Sequence, residues 1–428
     1  MHDFFCENPD DMHCAILAER ARSLKENERG ESTMCKLTRA RLPLALLSLM
    51  LFCVSFLLTG CFARADDASQ SASETSRAQQ SLSPDERAAA IVQKMSDAEK
   101  VGQLVMIGIQ GTELDADSRF MLTEYHIGGV ILFDRNMKSQ EQVRALNASL
   151  QKNAADAGLP LFLAIDEEGG AVARMRDAFP PPPAAEEIGR TGEPEEARRY
   201  AFDTARGLKA MGFNLNFAPV ADLGATDGRS YADDAPTVTR FVAAALEGHA
   251  DAGLLATLKH FPGLGRGESD THEDSVIVHD DRDALWQTDL VPFRKMIAER
   301  NDAKGAKEAQ GWFVMATHTM YPALDARRPA SLSPAILQGL LREELAYDGV
   351  IVTDDLEMGA ISRHYGFDRA GVEAILAGAD LVLVCHDYAH ETAVYNGILK
   401  AVRSGEISEE RLNASVLRIV KAKLTYLD

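Results

Sequence analysis

Beyond position 61 the chain holds a single cysteine, Cys385, so no disulfide can cross-link its globular part and the fold must stand on its core. Basic residues are also in short supply: 45 Lys and Arg face 65 Asp and Glu, a formal net charge of −20. That deficit argues against nucleic acid or an anionic membrane surface as a partner. A neutral or cationic small molecule suits it better. Two motifs are missing as well. No compact zinc motif such as H-E-x-x-H occurs, and IQGTELD (109–115) is a poor glycine-rich phosphate loop. Neither a metal nor a cofactor is expected.

The one long apolar run, LPLALLSLMLFCVSFLLTGC, ends at Cys61 and is preceded by Lys36, Arg39 and Arg41. Basic flank, apolar stretch and small residues at the end are the layout of a secretory signal. Leu58-Thr59-Gly60-Cys61 resembles a bacterial lipobox, which implies a lipidated Cys61 as mature N-terminus and Met34 as the start of the signal. The run is also long enough for an uncleaved transmembrane anchor. Under either reading the globular part is exported and tethered. Residues 62–83 are rich in Ser, Ala and Gln, a flexible linker reaching roughly 25 Å as a coil. Three parts result: an extension and signal (1–61), a linker (62–83) and a catalytic region (84–428). Membrane contact comes from the anchor alone, and a monomer is expected.

From Pro84 onward eight short apolar runs alternate with amphipathic stretches: 101–109, 128–133, 161–166, 214–220, 256–261, 312–318, 349–355 and 380–385. Most are continuous rather than alternating, as strands buried on both faces are. SPDERAAAIVQKMSDAEK before the first reads as helical, with Ser83 as N-cap and Pro84 at N1. Eight runs with intervening helices give a (β/α)8 TIM-type barrel, a single α/β catalytic domain; a doubly wound open sheet is the runner-up. Polar residues gather at the C-terminal ends of the runs: Asp166-Glu167-Glu168, Asp222, Lys259-His260, His318 and Asp354-Asp355. In a barrel those ends share one mouth, where catalytic residues sit. FPPPPAAEEIGR (179–190) reads as a rigid surface loop without chemistry of its own.

Several segments now go beyond pattern. KHFPGLGRGESDTH (259–272) resembles the K-H-F-P-G-x-G-x4-D-[ST]-H signature of bacterial β-N-acetylhexosaminidases of glycoside hydrolase family 3. AIDEEGGAVARM (164–175) is similar to that family's D-x-E-G-G-x-V-x-R segment. NFAPVADL (216–223), RSY (229–231), LREELAYDGVIVTDDLEMGAI (341–361) and SVLRIVKAK (415–423) also match. The resemblance runs in order from Pro84 to Asp428 and is to the single-domain members, without an added α/β sandwich domain.

The resemblance implies a role for each matching position. Retaining glycoside cleavage needs a carboxylate nucleophile at the anomeric carbon. Asp354 matches it, although alone it reads equally as a helix N-cap. His272, oriented by Asp270 on the same loop, matches the acid/base of the single-domain branch; an imidazole titrates near neutrality and can give and then take a proton. Asp166, Arg174, Arg229, Lys259 and His260 match sugar-binding positions. Gly169 and Gly170 would let backbone approach the site, and Pro262, Gly263 and Gly265 would hinge the loop. Two departures stand at the rim: Leu264, where the family often has His, and Ala171, where it often has Arg. The implied substrate is a terminal, non-reducing β-linked N-acetylglucosamine on cell-wall fragments or related glycans. Phosphorolysis and β-glucosidase activity stay open, as does a non-catalytic sugar-binding lipoprotein.

Overall fold

The computed structural model describes residues 83–427, except 156–157, 177, 226, 265–275 and 304–310. The expectations placed on Cys61, the signal and the linker, and on Asp270, His272 and Gly265, lie outside the described residues.

The eight apolar runs become eight parallel strands: β1 (Val105–Ile107), β2 (Gly129–Ile131), β3 (Phe162–Ile165), β4 (Leu215–Asn216), β5 (Ala256–Phe261), β6 (Trp312–Ala316), β9 (Ile351–Asp355) and β10 (Leu381–Val384). Their order, β4-β3-β2-β1-β10-β9-β6-β5, brings every strand beside its chain neighbour. The two ends meet where Leu215 pairs with Leu255 and Val220 with Lys259, which closes the ring. This is the (β/α)8 barrel, not the open sheet. An antiparallel hairpin, β7 (Met320–Tyr321) and β8 (Asp325–Pro329), is inserted after β6. It was not expected, because MYPALDARRP carries no apolar run.

The barrel strands are buried along nearly their whole length, which is why they read as continuous apolar runs. Phe162 of β3 and Phe313 of β6 belong to non-adjacent strands and meet edge to face, with centroids 5.2 Å apart, inside the barrel. Helices connect strand to strand around the outside. The N-terminal helical stretch is two helices rather than one, Pro84–Val92 and Asp97–Gln103, each opened by its own capping box, at Ser83 with Glu86 and at Ser96 with Glu99. The second helix runs to Gln103, so the first strand is shorter than the apolar run 101–109 suggests. The proline-rich segment is also more than a surface loop: Ala185–Gly189 is helical, and the Pro182 carbonyl accepts the N–H of Gly170 at 3.1 Å. Among the described residues, no helix is long and apolar enough to cross a membrane.

Candidate active site

At the C-terminal ends of the strands lies a pocket of about 390 Å³, within the range of ligand sites. Its wall includes Asp166, Arg174, Arg229, Lys259, His260 and Asp354, so six of the eight expected catalytic and binding residues converge there.

Strand β5 ends in Lys259-His260. Lys259 is 2% exposed and its ammonium sits between two carboxylates, 2.7 Å from Asp166 Oδ1 and 2.6 Å from Glu168 Oε1. Burial alone would discharge it, but Asp166 and Glu168 more than offset that and hold its pKa above the ordinary value. Glu168 is also gripped by Arg229, whose Nε and second guanidinium nitrogen each donate at 2.8 Å. Burial would raise the Glu168 pKa; Lys259 and Arg229 outweigh it and keep the carboxyl well below the usual range. Arg174 lies 3.3 Å from Asp166 and 3.6 Å from Asp134. His260 gives its Nδ1–H to Asp222 at 2.7 Å, and Asp222 also accepts the N–H groups of His260 and Leu264.

The turn that aims these groups depends on two glycines. Gly169 and Gly170 have φ of 98° and 52°, and a Cβ at Gly170 would lie 2.6 Å from the Cβ of Ala184. The start of the 259–272 loop is anchored rather than loose: the Tyr321 hydroxyl donates to the Gly263 carbonyl at 2.7 Å, and Asp222 holds Leu264. Leu264 and Ala171, the two departures, both line the pocket.

Asp354 stands at the end of β9. Burial pushes its pKa up, but the imidazoles of His260 and His318, the Asp355 N–H and the Lys259 ammonium pull it down further, and the net direction is below the usual carboxylate. The anion is therefore the resident form. Asp355 supports the following turn, accepting the Glu357 N–H at 3.1 Å and pairing with His386 Nε2 at 3.0 Å.

Five residues matter here that the sequence did not single out for a role. Strand-end position marks Glu168 and Asp222 only as acids. The sequence pattern gives no role to Arg135, Glu357 or His386, although Glu357 and His386 also follow strand ends. Phe133 and His386 line the pocket and pack together with ring centroids 5.0 Å apart, and Arg135 lies 4.7 Å from the Phe133 centroid. The pocket wall carries five carboxylates, Asp166, Glu168, Asp354, Asp355 and Glu357, against three Lys and Arg. Such a site suits a substrate that gains positive charge as it reacts.

A (β/α)8 barrel with carboxylates converging on a polar pocket at its C-terminal mouth is an arrangement that suits carbohydrate cleavage. Residues 97–422 match the family description "Glycosyl hydrolase family 3 N terminal domain". The chain is 39% identical over 303 residues to a protein named Beta-hexosaminidase from Stenotrophomonas maltophilia (strain K279a), covering 68% of this chain and 86% of that one. It is 33% identical over 345 residues to Beta-hexosaminidase LpqI of Mycobacterium tuberculosis, covering 77% and 83%. Among solved structures it resembles a glycoside hydrolase family 3 beta-N-acetylglucosaminidase from Paenibacillus sp. str. FPU-7, with 41% identity and a TM-score of 0.73. That match covers 78% of this chain and 63% of the Paenibacillus chain, just under two thirds of its length. The chain belongs to glycoside hydrolase family 3 and is a glycoside hydrolase.

Proposed function

We propose that this protein is an exported, retaining β-N-acetylhexosaminidase that removes terminal, non-reducing β-linked N-acetylglucosamine from cell-wall fragments or related glycans. The observation that carries the reading is Asp354: a carboxylate at a strand end in the pocket, kept ionised by His260, His318 and Lys259 against the effect of burial. It attacks the anomeric carbon as the glycosidic bond breaks, leaving the sugar on Asp354. His272, oriented by Asp270, gives a proton to the departing oxygen and later takes one from the water that releases the sugar. Asp166, Arg174, Lys259, His260 and Arg229 bind and orient the sugar. The pocket's excess of carboxylates stabilises the oxocarbenium-like transition state. Support for the amino sugar comes from the hexosaminidase names of the relatives, and for export and anchoring at Cys61 from the signal-like run before it.

The test is release of p-nitrophenol from its β-N-acetylglucosaminide, with the product anomer followed by NMR. Asp354→Ala is expected to abolish release, and His272→Ala to slow it about 10²–10⁴-fold. Full activity in Asp354→Ala would overturn the assignment. Added phosphate should leave the product as free sugar; a sugar 1-phosphate would instead make the enzyme a phosphorylase.

A further inference from the structure

Glu357 stands three residues after Asp354, in the turn that leaves β9. Its side chain is 8% exposed, and its carboxylate faces the next βα unit rather than solvent. One oxygen, Oε2, accepts the N–H groups of both Cys385, at 2.7 Å, and His386. The other lies 2.6 Å from His390 Nδ1, on the first turn of helix Tyr388–Ser404. Held this way, His386 reaches back to β9. Its Nε2 lies 3.0 Å from Asp355 Oδ2, while Arg135 donates to its Nδ1 at 3.1 Å. Asp355 then gives its N–H to Asp354 Oδ1 at 2.9 Å, and its carbonyl accepts from His318 Nε2 at 2.8 Å. The contacts form a closed circuit: Asp354, Asp355, His386, Glu357, and back along the chain.

We propose that Glu357 is a positioning residue that fixes the orientation of the Asp354 carboxylate through His386 and Asp355. The inference rests on the reading of Asp354 as nucleophile. A carboxylate at a strand end turns freely about its side-chain bonds unless its surroundings hold it. The one bond that Asp354 receives from Asp355 points correctly only while the 355–358 turn is tied to β10. The Leu356 N–H gives the turn one tie, to the Leu383 carbonyl at 2.9 Å; Glu357 adds the second, to the N–H groups of Cys385 and His386. A displacement of about 1 Å in a reacting group costs on the order of 100-fold in rate.

In the full chain, Glu357→Ala is expected to lower kcat on p-nitrophenyl β-N-acetylglucosaminide about 100-fold, with KM changed less than about threefold. Glu357→Gln keeps an oxygen for both backbone N–H groups and gives up only the His390 contact, so it should recover most of that loss. The defect should persist with a dinitrophenyl leaving group, which departs without proton donation, because the attack itself is impaired. A loss that vanishes with that leaving group, or that merely follows the folded fraction measured by circular dichroism, overturns the proposal. So does an unchanged kcat in folded Glu357→Ala. Should that variant not fold, His386→Ala cuts the same circuit, and an unchanged kcat in it is equally fatal. Asp354→Ala is assayed alongside. Full activity there removes the nucleophile reading itself, whereas an inactive Asp354→Ala beside an unimpaired Glu357→Ala removes this inference alone.

Discussion

Lys423 offers a sharp test of how this barrel is held together at the end away from the site. It lies on the helix Glu409–Tyr426, fully buried, with its ammonium 2.7 Å from Gln103 Oε1 and 5.1 Å from the centroid of Phe162 at the start of β3. A neutral amide and a ring face are weak company for a buried cation, and burial pulls its pKa from 10.5 to about 7. At 1.36 kcal/mol per pH unit, that fall corresponds to roughly 5 kcal/mol lost from stability in acid. Below pH 7 the lysine is protonated in both folded and unfolded chains, and the penalty is constant. Between about pH 7 and 10.5 only the unfolded chain keeps the proton, so stability rises with pH. Lys423→Met removes the titration while filling a similar volume, at the cost of leaving Gln103 Oε1 without its donor, about 1–3 kcal/mol. The variant should therefore be the more stable protein at pH 7, and its advantage should shrink by roughly 2 kcal/mol by pH 9. Urea unfolding of both proteins at the two pH values measures this, since other titrating groups cancel in the difference. A stability difference that does not change with pH would refute the reasoning.

Two further predictions concern the site. Lys259→Met leaves Asp166 and Glu168 facing each other without their shared cation, and breaking a buried charge cluster in this way costs roughly 3–5 kcal/mol. Both the melting temperature and kcat/KM should fall, the latter at least ~100-fold; an unchanged melting temperature would mean the cluster is not worth what its geometry suggests. The acid limb of the kcat/KM profile is the other. Because the Asp354 pKa lies below its ordinary 3.8, the ionised form of this proposed nucleophile persists to lower pH, and loss of activity through its protonation should set in only below about pH 4. An acid limb centred near pH 5 that shifts in Lys259→Met would place the Asp354 pKa on the wrong side.

The barrel was legible because its strands are buried on both faces, which leaves a continuous apolar run wherever a strand forms. The signal weakens where that condition fails. Strand β4 keeps only Leu215–Asn216 in regular pairing, and the closure with β5 passes around Pro219, which has no N–H to donate. In the β7–β8 hairpin Tyr321 is buried but Ala326, Arg327 and Arg328 are exposed, so no continuous apolar run marks it. The site divides along similar lines. Strand-end position marked Asp166, Lys259, His260 and Asp354 as members of one mouth before any contact was known. What it could not mark is a partner. Glu168 acquires its role from Lys259, 91 positions on, and from Arg229 in the segment after β4.

The same reasoning separates two kinds of acid at the mouth. Asp166 and Glu168 are spent on the Lys259 ammonium, and Asp222 is spent on His260. Asp354 differs: its one protein hydrogen bond among those described comes from the Asp355 N–H, and the groups that hold it ionised act mainly through their charge. A carboxylate stabilised by field rather than by direct salt bridges keeps its lone pairs available for an approaching carbon. Strand-end sequence alone makes the four acids look interchangeable. Their partners distinguish them, and the residue left with the fewest is Asp354, the one proposed as nucleophile.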